Sequence, residues 1–146
     1  MIALDTNLLV YAHRADSPHH AAAAAVLRQG VRAPQGAAVP WPCVHEFLAV
    51  VTHSRIYAPP STMAVALASV GALADEPGVH FIGEGRDHVA VLTSLLASGS
   101  VVGPRVYDAR IAAICLAHGI DELWSADRDF SWFPQLHVVN PLARPQ

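Results

Sequence analysis

Ile2-Ala3-Leu4-Asp5-Thr6-Asn7 is the stretch that decides the fold. Three apolar residues read as a short buried strand, Asp5 closes it, and Thr6 reads as the cap of a helix through Leu8, Leu9 and Tyr11. The same alternation recurs outward along the chain. Asp16-Ser17-Pro18 predicts the start of a second helix, carried by Ala21 to Ala25 and stopped by Gly30. Gly36 to Val39 is the next candidate strand. A helix follows over Cys43 to His53, with Val44, Phe47, Leu48 and Val51 on one face. Ser61 predicts the cap of a helix to Ala74, which Pro77-Gly78 breaks. Val79 to Ile82 reads as a strand, Arg86 to Ala97 and Arg105 to His118 as helices with Gly119 as the last stop. Glu122 to Ser125 and His137 to Val139 read as the final strands. Short apolar strands alternating with helices define an α/β domain with a mainly parallel, five-stranded sheet flanked by helices. Residues 1–140 are expected to form a single domain and 141–146 a short tail.

Composition bounds the function. A chain of 146 residues fits one domain. Hydrophobic residues make up 53% and charged residues 14%, against a usual charged share of about 25%, which excludes a disordered chain. So little charge leaves a monomer's surface poorly covered, so an interface with a partner or a second copy is expected. Cys43 and Cys115 have neither metal-ligand spacing nor a disulfide framework, which fits a reducing, cytoplasmic compartment. Ile56 to Ala74 carries no charge, but Pro59 and Pro60 leave only Met63 to Ala74 continuously helix-like. That is short of the about 20 residues a bilayer needs, so no membrane association is expected.

The twelve acids are few enough for their positions to matter. Asp5 ends the first strand, and Asp127 and Asp129 follow the fourth. Ligand sites of parallel sheets lie beyond the carboxyl ends of strands, so both strands deliver carboxylates to one edge. Asp108 falls in the first turns of a helix. Glu46 interrupts an otherwise apolar helix, where an acid is costly unless paired or bound. Each alone also reads as a cap, turn or solvated residue. Two carboxylates about 4 Å apart repel by about 4 kcal/mol at an effective dielectric of 20, so a cluster must raise its pKa values or bind a hard cation. An all-oxygen ligand set favours Mg²⁺ or Mn²⁺ over zinc.

Asp5-Thr6-Asn7, the isolated Glu46, Tyr107-Asp108-Ala109-Arg110-Ile111-Ala112-Ala113 and Trp124-Ser125-Ala126-Asp127-Arg128-Asp129-Phe130 together resemble the PIN domain. The closest resemblance is to the VapC-type toxins of bacterial toxin–antitoxin pairs, of the mycobacterial type, and it spans nearly the whole chain. It implies a three-layer PIN-like fold and a Mg²⁺-dependent endoribonuclease, with Mn²⁺ as the alternative ion. Asp5, Glu46, Asp108 and Asp127 are its implied catalytic and metal-binding residues. Thr6, Asn7 and Ser125 are implied to orient those carboxylates, Ser125 standing where the family often has threonine. Asp129 is either a further ligand or a cap for the following turn, the cap being favoured. The implied partners are an RNA substrate and a cognate VapB-type antitoxin, in a homodimer or toxin–antitoxin hetero-oligomer; an antitoxin arginine entering the acidic pocket would compete with the metal.

The charge balance is compatible with RNA: without the four acids the formal charge of −3 becomes +1. Arg14, Arg86, Arg105, Arg110 and Arg128 are candidate phosphate contacts, with Arg128, between two site acids, the better one. Arg110 lies two residues past Asp108, about 200° round a helix, and is expected to face away from the metal. Other signals fail. His45-Glu46 lacks the second histidine of a zincin helix, and Gly83-Glu84-Gly85 lacks the third glycine of a dinucleotide loop. Trp41, Trp124 and Trp132 are expected to pack rather than to stack bases. Two rival readings remain at this point: a PIN nuclease acting on structured nucleic acid without an antitoxin, and a non-catalytic interaction protein that keeps the fold.

Overall fold

The N-terminal strand sits at the centre of the molecule. In a computed structural model, which describes residues 1–143 but not the side chain of Asp129, β1 (Ile2–Leu4) pairs in parallel with two distant strands. One is β2 (Ala37–Pro40) and the other is β4 (Glu122–Trp124), with Ile2 opposite both Ala37 and Glu122. β3 (Val79–Ile82) and β5 (Val138–Val139) form the edges, giving the order β3-β2-β1-β4-β5, parallel throughout. Ala3, Leu4, Ala37, Ala38, Val39 and Leu123 are fully buried, as strands covered on both faces require.

The connections supply the cover. α1 (Thr6–His13) and α2 (His20–Arg32) join β1 to β2, and α3 (Trp41–Val51) and α4 (Met63–Asp75) join β2 to β3. α5 (His88–Leu96) and α6 (Arg105–Ala117) carry the chain back across the sheet to β4. Right-handed crossovers running first one way and then the other put α1 to α4 on one face and α5 and α6 on the opposite face. Helix contacts agree: α1 touches α2 and α3, α3 touches α4, and α5 touches α6. The strand order reverses between β1 and β4. Chains leaving those two strands diverge, which opens a crevice at their carboxyl ends.

Several local expectations change on packing grounds. Asp5 rather than Thr6 occupies the N-cap of α1, and Asp5 spends its side chain elsewhere. Gly30 does not stop α2, which runs on to Arg32; its small size lets the helix approach β1, where a Cβ would come within 2.8 Å of Ile2. α2 starts at His20, after a turn at Ser17 and Pro18. α3 begins at Trp41, with Pro42 in its first turn where the missing N–H costs nothing. The cap of α4 is Thr62, whose hydroxyl accepts from the Val65 N–H; Ser61 instead bonds His13 and Arg14. Phe130 and Phe133 are fully buried, each stabilising by roughly 1.5–3 kcal/mol, and they pin the 3-10 turn Arg128–Trp132 that follows Asp127. Pro141–Ala143 forms a 3-10 turn against α2, while 144–146 lie outside the described residues.

Candidate active site

The crevice between β1 and β4 is built around one carboxylate. Asp5 leaves β1 in extended conformation, its N–H bonded to the Trp124 carbonyl at 3.0 Å, and the residue is 4% exposed. The Ser125 hydroxyl donates to Asp5 Oδ2 at 2.6 Å, and the Cys43 thiol lies 3.5 Å from Oδ1. Burial raises the Asp5 pKa above its ordinary value. Hydrogen bonds from Ser125, Thr6 and Cys43 oppose that shift, and the charge of Glu46 adds to it.

Ser125 organises the corner. Besides donating to Asp5, its Oγ accepts the Asp127 N–H at 3.0 Å and the Asn7 side-chain amide at 3.4 Å. The Asn7 carbonyl oxygen accepts the Ala126 N–H at 3.2 Å. The start of α1 and the segment after β4 are thus stitched together by side chains, which fixes where Asp127 leaves the sheet. The two thiols stay protonated: burial and the charge of Asp5 push Cys115 up to about 12 and Cys43 well above its ordinary value.

Other elements complete the lining. Asp5, Thr6, Asn7, Glu46, Asp108 and Asp127 all border one cavity of about 260 Å³. Thr6 donates its hydroxyl to Glu46 at 3.1 Å. Glu46 is exposed, and α3 turns that position to the cavity mouth, where Thr6 pairs with it. Asp108, in the first turn of α6, is half-buried and Asp127 is exposed. Arg128 borders a neighbouring cavity with Asp127 and Phe130, outside the acidic one. Arg110 is held by Glu84, and it borders a third cavity together with Asp108 rather than facing fully away.

The donor set suits a hard divalent cation. The polar lining is carboxylate, hydroxyl and amide, and among the described residues no lysine, arginine or histidine borders the cavity. A buried carboxylate held, among the described residues, only by neutral donors is the group a cation would relieve. The acids surround the cavity without closing on a point: among the described residues no three His, Cys, Asp or Glu side chains stand ready to hold an ion as they are. Sequence reasoning overlooked Cys43 and Tyr57. Cys43 lies three residues before Glu46 on α3, a spacing that puts both on one side of a helix. Tyr57 comes from a loop and had no local signal.

Similarities to known proteins follow the same map. The family model described as PIN domain matches residues 2–134. Ribonuclease VapC43 of Mycobacterium tuberculosis is 32% identical over 142 residues, covering 97% of this chain and 96% of the relative. The fold is similar to that of M. tuberculosis VapC20, a sarcin-ricin loop cleaving toxin, with TM-score 0.66 at 18% identity over 90% of this chain and 93% of that one. It is also similar to a chain of VapBC2 from Rickettsia felis bound to a promoter DNA fragment, with TM-score 0.64 at 17% identity over 95% and 98%.

Proposed function

Because this chain belongs to the PIN-domain family, with VapC ribonucleases among its relatives, we propose that it is a divalent-metal-dependent endoribonuclease and the toxin of a toxin–antitoxin pair. The observation that carries the reading is the buried, neutrally held Asp5 at the reversal of strand order, facing a cavity that Glu46, Asp108 and Asp127 also border. Those four carboxylates would hold Mg²⁺ or Mn²⁺. Such an ion, when bound, neutralises charge on a phosphodiester and makes water a better nucleophile.

The chain's own residues do the remaining work. Ser125 keeps Asp5 oriented and favours its ionised form through a donated hydrogen bond. Thr6 restrains Glu46 at the cavity mouth, where its other oxygen is available to orient water. Asn7 fixes the turn from which Asp127 projects. Arg128, exposed beside Asp127, is the candidate for contacting the RNA backbone. The partner is a VapB-type antitoxin, in a homodimer or hetero-oligomer. Likeness to the VapBC2 chain and the exposed Met63, Val65 and Leu67 of α4 support that reading. No helix among the described residues is long and apolar enough to cross a membrane, and the two free cysteines fit a reducing, cytoplasmic compartment.

The test is cleavage of RNA by the wild type and Asp5→Asn at saturating Mg²⁺, with EDTA as a second arm. Wild-type cleavage abolished by either change is expected. Equal rates with Asn at position 5, or cleavage that survives chelation, would overturn the mechanism.

A further inference from the structure

We propose that the cavity between the first turns of α3 and α6 receives a single nucleobase of the RNA, stacked on Tyr107, next to the bond that is cut. This deepens the nuclease reading and rests on it. The cavity, about 370 Å³, is larger than the acidic one and lies within the roughly 300–1,000 Å³ of small-ligand sites. It shares Glu46 and Asp108 with the acidic cavity, so its occupant lies immediately beside the carboxylates. Its remaining walls change in character. Pro42 and Pro104 offer flat apolar faces, Tyr107 offers a ring, and Arg110 offers a guanidinium.

Tyr107 is 73% exposed, an unusual place for a large aromatic side chain on a helix. It contributes little to the core. A ring left in water beside a cavity is the platform on which bases stack in single-stranded nucleic-acid sites. The Glu84 contact uses Nε of Arg110, and a guanidinium carries further N–H donors suited to the acceptor edge of a base. Pro42, Pro104, Ile111 and the Tyr107 ring suit the face of a base better than a phosphate, which the ion held by the neighbouring carboxylates would take. A splayed base presents a π-face and acceptors with no charge of its own. A paired base cannot enter a concave site, so the substrate at this position is single-stranded.

The experiment uses a set of short single-stranded oligoribonucleotides that differ in the bases flanking the cut. Cleavage by wild type, Tyr107→Ala and Tyr107→Phe is measured with Mg²⁺. Loss of one stacking interaction corresponds to a KM rise of about 5- to 150-fold. We expect that rise for Tyr107→Ala, together with a flattened preference for one flanking base, while Tyr107→Phe keeps both. Thermal unfolding of the variants should match the wild type, because the ring is exposed. Wild-type cleavage with unchanged KM and base preference in Tyr107→Ala would overturn the subsite and leave the nuclease reading intact. Equal loss in Tyr107→Phe and Tyr107→Ala would overturn stacking. Absence of wild-type cleavage on every probe would overturn the nuclease reading and the subsite with it.

Discussion

α1 and α3 are shared walls between two cavities of the same size and opposite chemistry. On one side Thr6, Asn7, Val10, Glu46 and Val50 border the acidic cavity. On the other, Leu9, Ala12, His13, Val44 and Phe47 border a groove of about 260 Å³ completed by Leu27, Val70 and Leu73 of α2 and α4. Equal volume therefore does not mean equal use; the lining decides. The helical repeat sorts the side chains, so neighbouring positions on one helix enter different environments. The acidic face carries chemistry that costs stability, because it buries a carboxylate. The apolar face carries packing. Substitutions on the two faces should fail in different assays.

The largest effect is expected on the apolar face. Phe47→Ala should destabilise the protein by about 3–5 kcal/mol, lowering the melting temperature while sparing the specific activity of the fraction that stays folded. Loss of activity at full thermal stability would blur the division. Next comes Asp5→Asn, expected to reduce cleavage by on the order of 10²–10³ or more. Its metal-free melting temperature should not fall, since the change removes a buried charge whose pKa burial has raised. Ser125→Ala should cost about 10- to 100-fold in activity or metal affinity, as loss of an orienting partner does, and titration calorimetry with Mn²⁺ would register it. The smallest effect concerns His13, whose ring bonds Ser61 at 2.9 Å and Ser69 at 2.8 Å at the edge of the apolar groove. Burial, then the charges of Arg14 and His20, hold its pKa below the ordinary 6.5. The unfolded chain therefore takes up a proton first. Stability contributed by neutral His13 is complete above pH 6.5 and is lost as pH falls through the lower folded value. Melting temperatures measured from about pH 7 to about pH 5 should decline less for His13→Gln than for the wild type.

The parts legible in the sequence are those governed by neighbours along the chain. Strand β1 and its terminal Asp5, the helix holding Asp108 and the Asp127 that follows β4 all stand where short apolar runs and turn chemistry put them. What was not legible depends on partners remote in sequence. Ser61 and Thr62 are equivalent as caps on paper; packing gave the cap to Thr62 because His13 and Arg14 claim Ser61. Gly30 looked like a stop until Ile2 arrived beside it. Glu46 stood out in an apolar helix, but that its partner is Thr6, 40 residues earlier, was not readable from its neighbours. Arg110 is angularly offset from Asp108 as expected, but a cavity wraps the end of α6 and reaches both. The role of Asp129 lies outside the described residues.

Asp5 and the hydroxyl that holds it are 120 residues apart. During synthesis the carboxylate leaves the ribosome long before its partner, and β1 waits without its neighbour β4 until most of the chain has emerged. A truncated translation product lacking β4 also lacks Asp127 and the hub that aligns the corner. The strand order thus defers closure of the acidic cavity until Ser125 and Asp127 have been synthesised.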